Sequence, residues 1–247
     1  MLHSTKGIVF HSLKYSESSI IVKIYTELFG IQSYLFKGIR SPRSKIQPAL
    51  FQPLTLLDLV VYHKEKQSLQ SVKEVRLSHP FQTIPFDIRK SSIALFINEL
   101  IYNAIREEEA NYDLFAFLWQ TCLRLDETDE NVSWFHIHFA LQLMQYLGIF
   151  PQKNHSSLFP IFNLREGIFQ ASIPDHPDYL DPVNSKIFAE MLMATKKFLR
   201  EKENPKSEIR NPKSRNFLLD TILLYYRLHL PGFRDLKSHH ILHEVLS

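Results

Sequence analysis

The chain has 247 residues but only one cysteine, Cys122. A single cysteine excludes an intramolecular disulfide and a zinc site built from several thiolates, and it suits a reducing cytoplasm. Apolar runs are short as well. None approaches the roughly 20 residues of a membrane-spanning helix, and the first six residues do not resemble a signal peptide. We therefore expect a cytoplasmic protein without a membrane segment.

Sequence signatures of catalysis are missing too. The chain has no glycine-rich phosphate loop of the P-loop or dinucleotide-binding type. The acidic runs at 107–109 and 126–130 fall at the ends of predicted helices, where we interpret them as solvated connections rather than as a catalytic acid and base. Cys122 lies on the apolar face of a predicted helix, which indicates a buried, inert thiol. We predict that the protein is not an enzyme.

Twelve histidines raise the alternative of a metal site, above all at His136 with His138 and at His239, His240 and His243. Structural zinc requires four ligands in a closed geometry. No cysteine or carboxylate stands at a suitable spacing beside these histidines. We therefore predict no metal site and no cofactor.

What the sequence does contain is two patterns of apolar residues. Up to about Ser78 they alternate in short runs rich in Ile, Val, Tyr and Phe, which predicts five β-strands over residues 5–15, 19–26, 31–38, 54–62 and 69–76. Five antiparallel strands in a module of this size are typical of a β-barrel of the oligonucleotide-binding (OB) type, with an SH3-like barrel or a plain meander as alternatives. We predict an α+β protein whose first domain, over residues 1–80, is this five-stranded barrel.

From Pro85 onward the apolar residues recur every three to four positions, which predicts a mostly α-helical second domain over residues 81–247. Two stretches interrupt the helical pattern. Four prolines within 151–180 indicate an irregular or hairpin insertion. A repeated Asn-Pro-Lys-Ser motif within 202–214 indicates a disordered surface loop.

The positive charge is concentrated in the first domain. Residues 1–80 contain 11 Lys and Arg against 5 Asp and Glu, whereas the whole chain has a net charge of only +3. Four cations lie in a segment broken by Gly38 and Pro42, which predicts an exposed loop suited to a nucleic-acid backbone. The predicted DNA-binding residues are these four cations, three lysines of the strands and one tyrosine: Lys37, Arg40, Arg43, Lys45, Lys6, Lys14, Lys23 and Tyr34.

Aromatic side chains would add base stacking to this charge. Strand alternation places Tyr34 and Phe36 on one face, which is either a stacking platform or the barrel core. We favour the core for Phe36 and leave both interpretations open for Tyr34. Tyr15 is a further aromatic residue close to the basic segment.

Several segments resemble one protein family. In the predicted barrel they are Lys6-Gly7-Ile8-Val9-Phe10, the strand at 20–26, Lys37-Gly38-Ile39-Arg40 and Gln52-Pro53. In the helical domain they are the segment 141–151 and Leu236-Lys237-Ser238. In their order and spacing these segments are similar to the bacterial recombination mediator RecO family. The resemblance implies an OB barrel fused to a helical domain, without catalytic turnover.

The resemblance also implies a function in DNA repair and a nucleoid-associated location in the bacterial cytoplasm. Such proteins bind single- and double-stranded DNA and anneal complementary single strands. With the partner RecR they help to replace single-strand-binding protein by the RecA recombinase, and RecF is a further implied partner. The acidic C-terminal tail of single-strand-binding protein is expected to dock on the helical domain, where the candidate cations are Arg106, Arg124, Arg227 and Lys237.

The chain departs from the family pattern in one respect. Many members carry a four-cysteine zinc site after the Leu-Gly-aromatic-Pro segment, but residues 152–181 contain no cysteine. We expect the zinc site to be lost, or replaced by apolar packing of Leu158, Phe159, Ile161, Phe162 and Phe169.

Two alternative functions are compatible with the sequence. One is a protein-interaction scaffold, in which the helical domain binds partners and the barrel is only structural. A nuclease ranks third, because the barrel segment offers no cluster of carboxylates for a catalytic metal.

Overall fold

The computed structural model describes residues 1–39, 47–106, 108–128, 132–198 and 212–246. The chain forms two compact units, residues 1–128 and 129–247. The first unit joins five strands to the two helices that follow them, and the second unit is mostly helical. The boundary predicted between residues 80 and 81 therefore separates the strands from the helices. That it is also a domain boundary stays a prediction.

The strands of the first unit form a closed barrel. They are β1 (Leu2–Lys14), β2 (Ile20–Thr26), β3 (Gly30–Phe36), β4 (Leu56–Tyr62) and β5 (Leu69–His79), with a 3₁₀ turn at Pro48–Phe51. Their order around the barrel is β1-β2-β3-β5-β4, and β4 closes it on β1. Strands β3 and β5 pair in parallel, whereas all other pairs are antiparallel. This topology confirms the predicted OB-type barrel and excludes a plain meander, in which β3 would pair with β4.

Alternating side chains of the strands fill the barrel. The interior includes Val22, Ile24, Tyr34, Phe36, Leu57, Leu59 and Val61, all of them buried. Because side chains alternate along a strand, the residues between them point to the outer surface. Burying each large apolar side chain contributes roughly 1.5–3 kcal/mol relative to leaving it in water, so this interior is the main source of the barrel's stability.

Two helices complete the first unit: α1 (Ile88–Ala104) and α2 (Tyr112–Glu127). They cover part of the barrel's outer surface, where the ring of Tyr25 stacks on Phe10 at 5.6 Å and faces Phe115 of α2 at 6.1 Å. The connection between α1 and α2 passes so close to β3 that a Cβ atom on Gly30 would clash with the carbonyl oxygen of Glu109. Gly30 also has a φ of +61°, which favours glycine.

A buried carboxylate fixes the segment that leads from the barrel into α1. Asp126, near the end of α2, accepts hydrogen bonds from the backbone N–H groups of Gln82 (2.8 Å), Thr83 (2.8 Å) and Ile84 (3.0 Å). The buried Lys90 ammonium donates to the Thr83 hydroxyl and to the Asp126 carbonyl, at 2.7 and 2.8 Å. The prediction that Asp126 belongs to a solvated acidic connection is therefore wrong, since the backbone N–H groups that its carboxylate binds lie more than 40 residues away in sequence.

The second unit is built around three long helices. They are α3 (Val132–Tyr146), α4 (Pro182–Phe198) and α5 (Pro212–His229), and a short helix α6 (Ser238–Val245) follows. The Tyr226 hydroxyl of α5 donates to the Ala140 carbonyl of α3 at 2.8 Å within the apolar interior. Asp181 accepts a hydrogen bond from Asn184 N at 3.0 Å and so caps the start of α4.

The insertion predicted over 151–180 contains a small sheet, with strands β6 (Ile161–Asn163), β7 (Ile168–Gln170) and β8 (Tyr179–Leu180) in the order β7-β6-β8. Phe162 packs its ring against Phe169 at 4.7 Å and against Phe188 of α4 at 4.8 Å. Ile161, Phe162 and Phe169 are buried, as expected for apolar packing in place of zinc. The same expectation is wrong for Leu158 and Phe159, which are 73% and 42% exposed.

The polar repeat predicted as a loop over 202–214 lies outside the described residues up to position 211. Its last three residues, 212–214, form the first turn of α5. No helix in the described part of the chain is long and apolar enough to cross a membrane.

Candidate nucleic-acid interface

The predicted basic residues at one end of the barrel lie on the hairpin of β1 and β2 and on the neighbouring strand β3. Lys14 ends β1 and pairs with Ile20, which pairs with Phe36 of β3. Lys37 is exposed and directly follows Phe36. The chain therefore enters the basic segment at the edge where Lys14 also lies. Arg40, Arg43 and Lys45 lie outside the described residues.

The register of β1, β2 and β3 defines rows of side chains on the outer surface of the barrel. One row is Leu13, Ile21 and Leu35, and the next is His11, Lys23 and Ser33. Neighbouring strands lie about 4.8 Å apart, and successive residues on one face of a strand lie about 6.8 Å apart. The two rows therefore form a compact surface, about 10 Å across, that places apolar side chains beside a lysine.

The turn between β1 and β2 extends this surface by one residue. Tyr15 N donates to the Ser19 carbonyl at 3.0 Å, and the Ser16 hydroxyl accepts from Ser19 N at 3.2 Å. Tyr15 lies two positions after Leu13, in the turn that directly follows β1. Tyr15 is 61% exposed and Leu13 is 57% exposed. We call this surface the hairpin face: Leu13, Tyr15, Ile21 and Leu35, flanked by Lys23 and Lys37.

Lys23 marks the border of the hairpin face with α1. Its ammonium lies 5.4 Å from the ring centroid of Tyr102. The neighbouring His11 ring lies 5.5 Å from the same tyrosine ring. A cation over an aromatic face is held by roughly 0.5–1 kcal/mol at an exposed site, so this contact positions the Lys23 side chain.

Lys6 has different surroundings from the other predicted lysines, although it lies on the same strand as Lys14. It pairs in register with Asp58, which pairs with Arg76 of β5. Its ammonium lies 5.1 Å from the Trp119 ring of α2. A cavity of about 390 Å³ beside it is lined by two cations and three carboxylates, Lys6, Arg76, Glu27, Asp58 and Glu74. We call these five residues the carboxylate side.

The two aromatic residues of β3 belong to the barrel interior. Tyr34 is 0% exposed and Phe36 is 3% exposed. The predicted core position of Phe36 is therefore confirmed. Burial raises the pKa of the Tyr34 hydroxyl well above its ordinary value. A side chain enclosed by the barrel offers no face to a base, so the structure does not place Tyr34 among the residues that nucleic acid could contact.

The four cations predicted to receive an acidic tail are divided between the two units. Arg106 and Arg124 belong to the first unit, and Arg227 and Lys237 belong to the second. Arg227 of α5 forms an ion pair with Asp235 at 3.3 Å. Burial lowers the pKa of Arg124, and Glu127 opposes that shift. The helical domain that was predicted to contain all four therefore does not correspond to one compact unit.

The candidate metal residues show no metal geometry. His136 and His138 are buried in α3, and burial lowers the pKa of His136 to about 3. The rings of His239 and His240 lie 3.8 Å apart at the start of α6. Within the described ranges, no three His, Cys, Asp or Glu side chains are arranged so that they could hold a metal ion.

Sequence reasoning did not select Leu13, Ile21 or Leu35 as site residues. Their signal in the sequence is the alternation of β1, β2 and β3, which places them opposite the core residues on each strand. What the sequence does not give is the register that puts them in one row.

Comparison with known proteins agrees with the fold. The family model described as "Recombination protein O N terminal" matches residues 1–81, and "Recombination protein O C terminal" matches residues 85–239. Curated relatives called "DNA repair protein RecO" are similar over the full length. The one from Bacteroides fragilis is 37% identical over 248 residues and the one from Phocaeicola vulgatus is 35% identical over 247, with 100% of both chains covered in each case. The one from Flavobacterium johnsoniae is 36% identical over 98% of both chains. The chain belongs to the RecO family of DNA repair proteins.

Proposed function

We propose that this protein is a DNA-binding recombination mediator that anneals complementary single strands. It would also help to load a recombinase onto DNA coated with single-strand-binding protein. The observation that carries this proposal is the position of Lys37 and Lys14 at one edge of the barrel, where the chain enters its most basic segment. Membership of a DNA repair family supports it.

The mechanism that these residues support is electrostatic. Exposed lysines pair with phosphates and release counterions, which gives an affinity that depends on salt and not on sequence. A basic surface that holds two strands at once lowers their mutual repulsion, so that their bases can pair. This mechanism needs no bond chemistry, and we propose that the protein acts without catalysing any.

The proposed partners are DNA in single- and double-stranded form, RecR, RecF, RecA and the C-terminal tail of single-strand-binding protein. For the tail, the second unit supplies Arg227 and Lys237 together with the exposed apolar side chains of Leu228 and Ile241. An acidic tail with an apolar end requires cations beside apolar surface. This combination supports docking on the second unit.

The proposal is tested by measuring annealing of complementary oligonucleotides coated with single-strand-binding protein. We expect the full chain to accelerate annealing. The double variant Lys14→Ala/Lys37→Ala should slow it several-fold, because two phosphate contacts are lost. The matched control is Lys186→Ala/Lys213→Ala, which removes two exposed lysines of the second unit and the same net charge. Annealing that the full chain does not accelerate would contradict the proposal and favour the scaffold.

A further inference from the structure

The hairpin face combines two exposed side chains, Leu13 and Tyr15, and two half-buried ones, Ile21 and Leu35, with cations at its edges. Leu13, Ile21 and Leu35 lie side by side in register on three strands, and Tyr15 lies at the tip of the hairpin. Lys23 flanks the apolar row on one side, one row away along β2. Lys37 is exposed and directly follows the end of β3, two residues after Leu35.

This combination of side chains is chemically selective. Lysines contact phosphates equally well in a duplex and in a single strand, because the phosphates are exposed in both. Apolar and aromatic side chains gain from a base only when the face of that base is free. In a duplex the faces are covered by neighbouring base pairs, so Leu13 and Tyr15 could contact unpaired bases but not paired ones.

The hairpin tip holds Tyr15 in place before any ligand arrives. The hydrogen bond from Tyr15 N to the Ser19 carbonyl and the bond between Ser19 N and the Ser16 hydroxyl close the turn. The backbone beneath the exposed ring is therefore ordered, which lowers the entropy lost on binding. An exposed ring on an ordered turn is suited to stacking on any base, whatever its sequence.

We propose that the hairpin face binds unpaired nucleotides, with Tyr15 stacked on a base, Leu13 and Leu35 beneath the neighbouring base, and Lys23 and Lys37 on phosphates. The hairpin face thereby gives the protein a preference for single-stranded over double-stranded DNA. This inference rests on the proposed DNA-binding function and adds the residues that distinguish the two forms. The exposed ring of Tyr15 favours nucleic acid over a protein partner at this surface, because an aromatic ring can stack on an unpaired base.

The test compares Tyr15→Ala with the unmodified full chain in binding to three ligands: an oligothymidylate, a duplex of equal length, and an oligonucleotide that lacks its central bases. Stacking contributes about 1–3 kcal/mol per base, so the variant should bind oligothymidylate about 5- to 150-fold more weakly. Its duplex affinity should change less than about twofold. The unmodified chain should prefer oligothymidylate to the base-lacking strand, and Tyr15→Ala should reduce that preference, because only the contacts of Leu13 and Leu35 with a base remain.

Two controls separate stacking from loss of structure. Tyr15→Phe keeps the ring and should retain oligothymidylate affinity. Tyr112→Ala removes a tyrosine of the same unit that is 59% exposed, nearly as exposed as Tyr15, and should bind like the unmodified chain. Circular dichroism of the folded variants completes the comparison.

The outcomes distinguish this inference from the proposed function. If Tyr15→Ala binds oligothymidylate as tightly as the unmodified chain, or loses single-strand and duplex affinity equally, the inference is overturned. We would then infer that the hairpin face binds a protein partner. If Lys14→Ala/Lys37→Ala loses DNA binding and Tyr15→Ala keeps it, the proposed DNA-binding function stands and the inference about Tyr15 is overturned. An unmodified chain that binds neither DNA would overturn both.

Discussion

The two ends of β1 carry lysines that look equivalent in the sequence but have different neighbours in the barrel. Near the start of the strand, Lys6 lies under the Trp119 ring and on the carboxylate side, beside Glu27, Asp58 and Glu74. At the far end, Lys14 is exposed on the β1–β2 hairpin, between Leu13 and Tyr15 in the sequence. Eight residues of strand, about 26 Å, separate the two lysines.

The difference shows that a lysine's contribution to DNA binding depends on its neighbours. Carboxylates at short range repel phosphates and offset the attraction of a nearby cation. Helix α2 also covers the barrel beside Lys6, as the contact with Trp119 shows. We therefore infer that the carboxylate side of the barrel, which α2 covers, supports the fold. The end of the barrel that contains the β1–β2 hairpin and Lys37, which we call the hairpin end, binds DNA.

The largest expected effect concerns Asp126, whose carboxylate holds the segment that connects β5 of the barrel to helix α1. Asp126→Ala should lower the free energy of unfolding of the first unit by about 2–4 kcal/mol, because three backbone N–H groups lose their acceptor. Urea denaturation in a Trp134→Phe background reports on the first unit, since Trp119 is then the remaining tryptophan.

The matched control for this change is Glu127→Ala, at the exposed neighbouring position of α2. Its free energy of unfolding should change by less than about 0.5 kcal/mol. If both variants lose the same free energy of unfolding, Asp126 does not hold the segment between β5 and α1 in place.

A smaller effect is expected from pH. Burial by itself would raise the pKa of Asp126, but the hydrogen bonds from Gln82, Ile84 and Thr83 outweigh it and lower the pKa. Its stabilisation is therefore complete above the ordinary pKa of an unfolded aspartate, about 3.9, and is lost as the pH falls through the lower value of the folded state. The Nε2 atom of His79 lies 3.8 Å from Oδ2 of Asp126.

The measurement is the difference in free energy of unfolding between the unmodified chain and Asp126→Asn from pH 7 to pH 3. The difference should be constant at neutral pH and shrink below about pH 4. A difference that stays constant over the whole range would show that ionised Asp126 contributes nothing particular to the fold.

Part of this fold could be predicted from sequence because local periodicity carries it. Five strands with alternating apolar residues predicted the barrel, and the three-to-four-residue period predicted the helices. The small sheet of β6, β7 and β8 was expected only as an irregular or hairpin insertion. Strands of two or three residues are too short to show a period.

The candidate site was harder to predict because it depends on contacts between distant parts of the chain. Lys6 and Lys14 have no distinguishing local pattern, and only the pairing with Asp58 and the approach of Trp119 separate them. Asp126 was misinterpreted for the same reason, since its partners come from residues 82–84. Alternation placed Tyr34 on one face with Phe36, but closure of the barrel decides that this face is the interior.

The central claim is that the hairpin end, and not the carboxylate side, binds DNA. It is tested by the salt dependence of single-stranded DNA affinity in Lys14→Ala/Lys37→Ala and in Lys6→Ala/Arg76→Ala, which remove the same charge from the barrel. Each lost phosphate contact lowers the slope of log affinity against log salt by about 0.7, so the first variant should lose about 1.4. The second should change by less than about 0.3. Equal losses in the two variants, or a larger loss in the second, would contradict the claim.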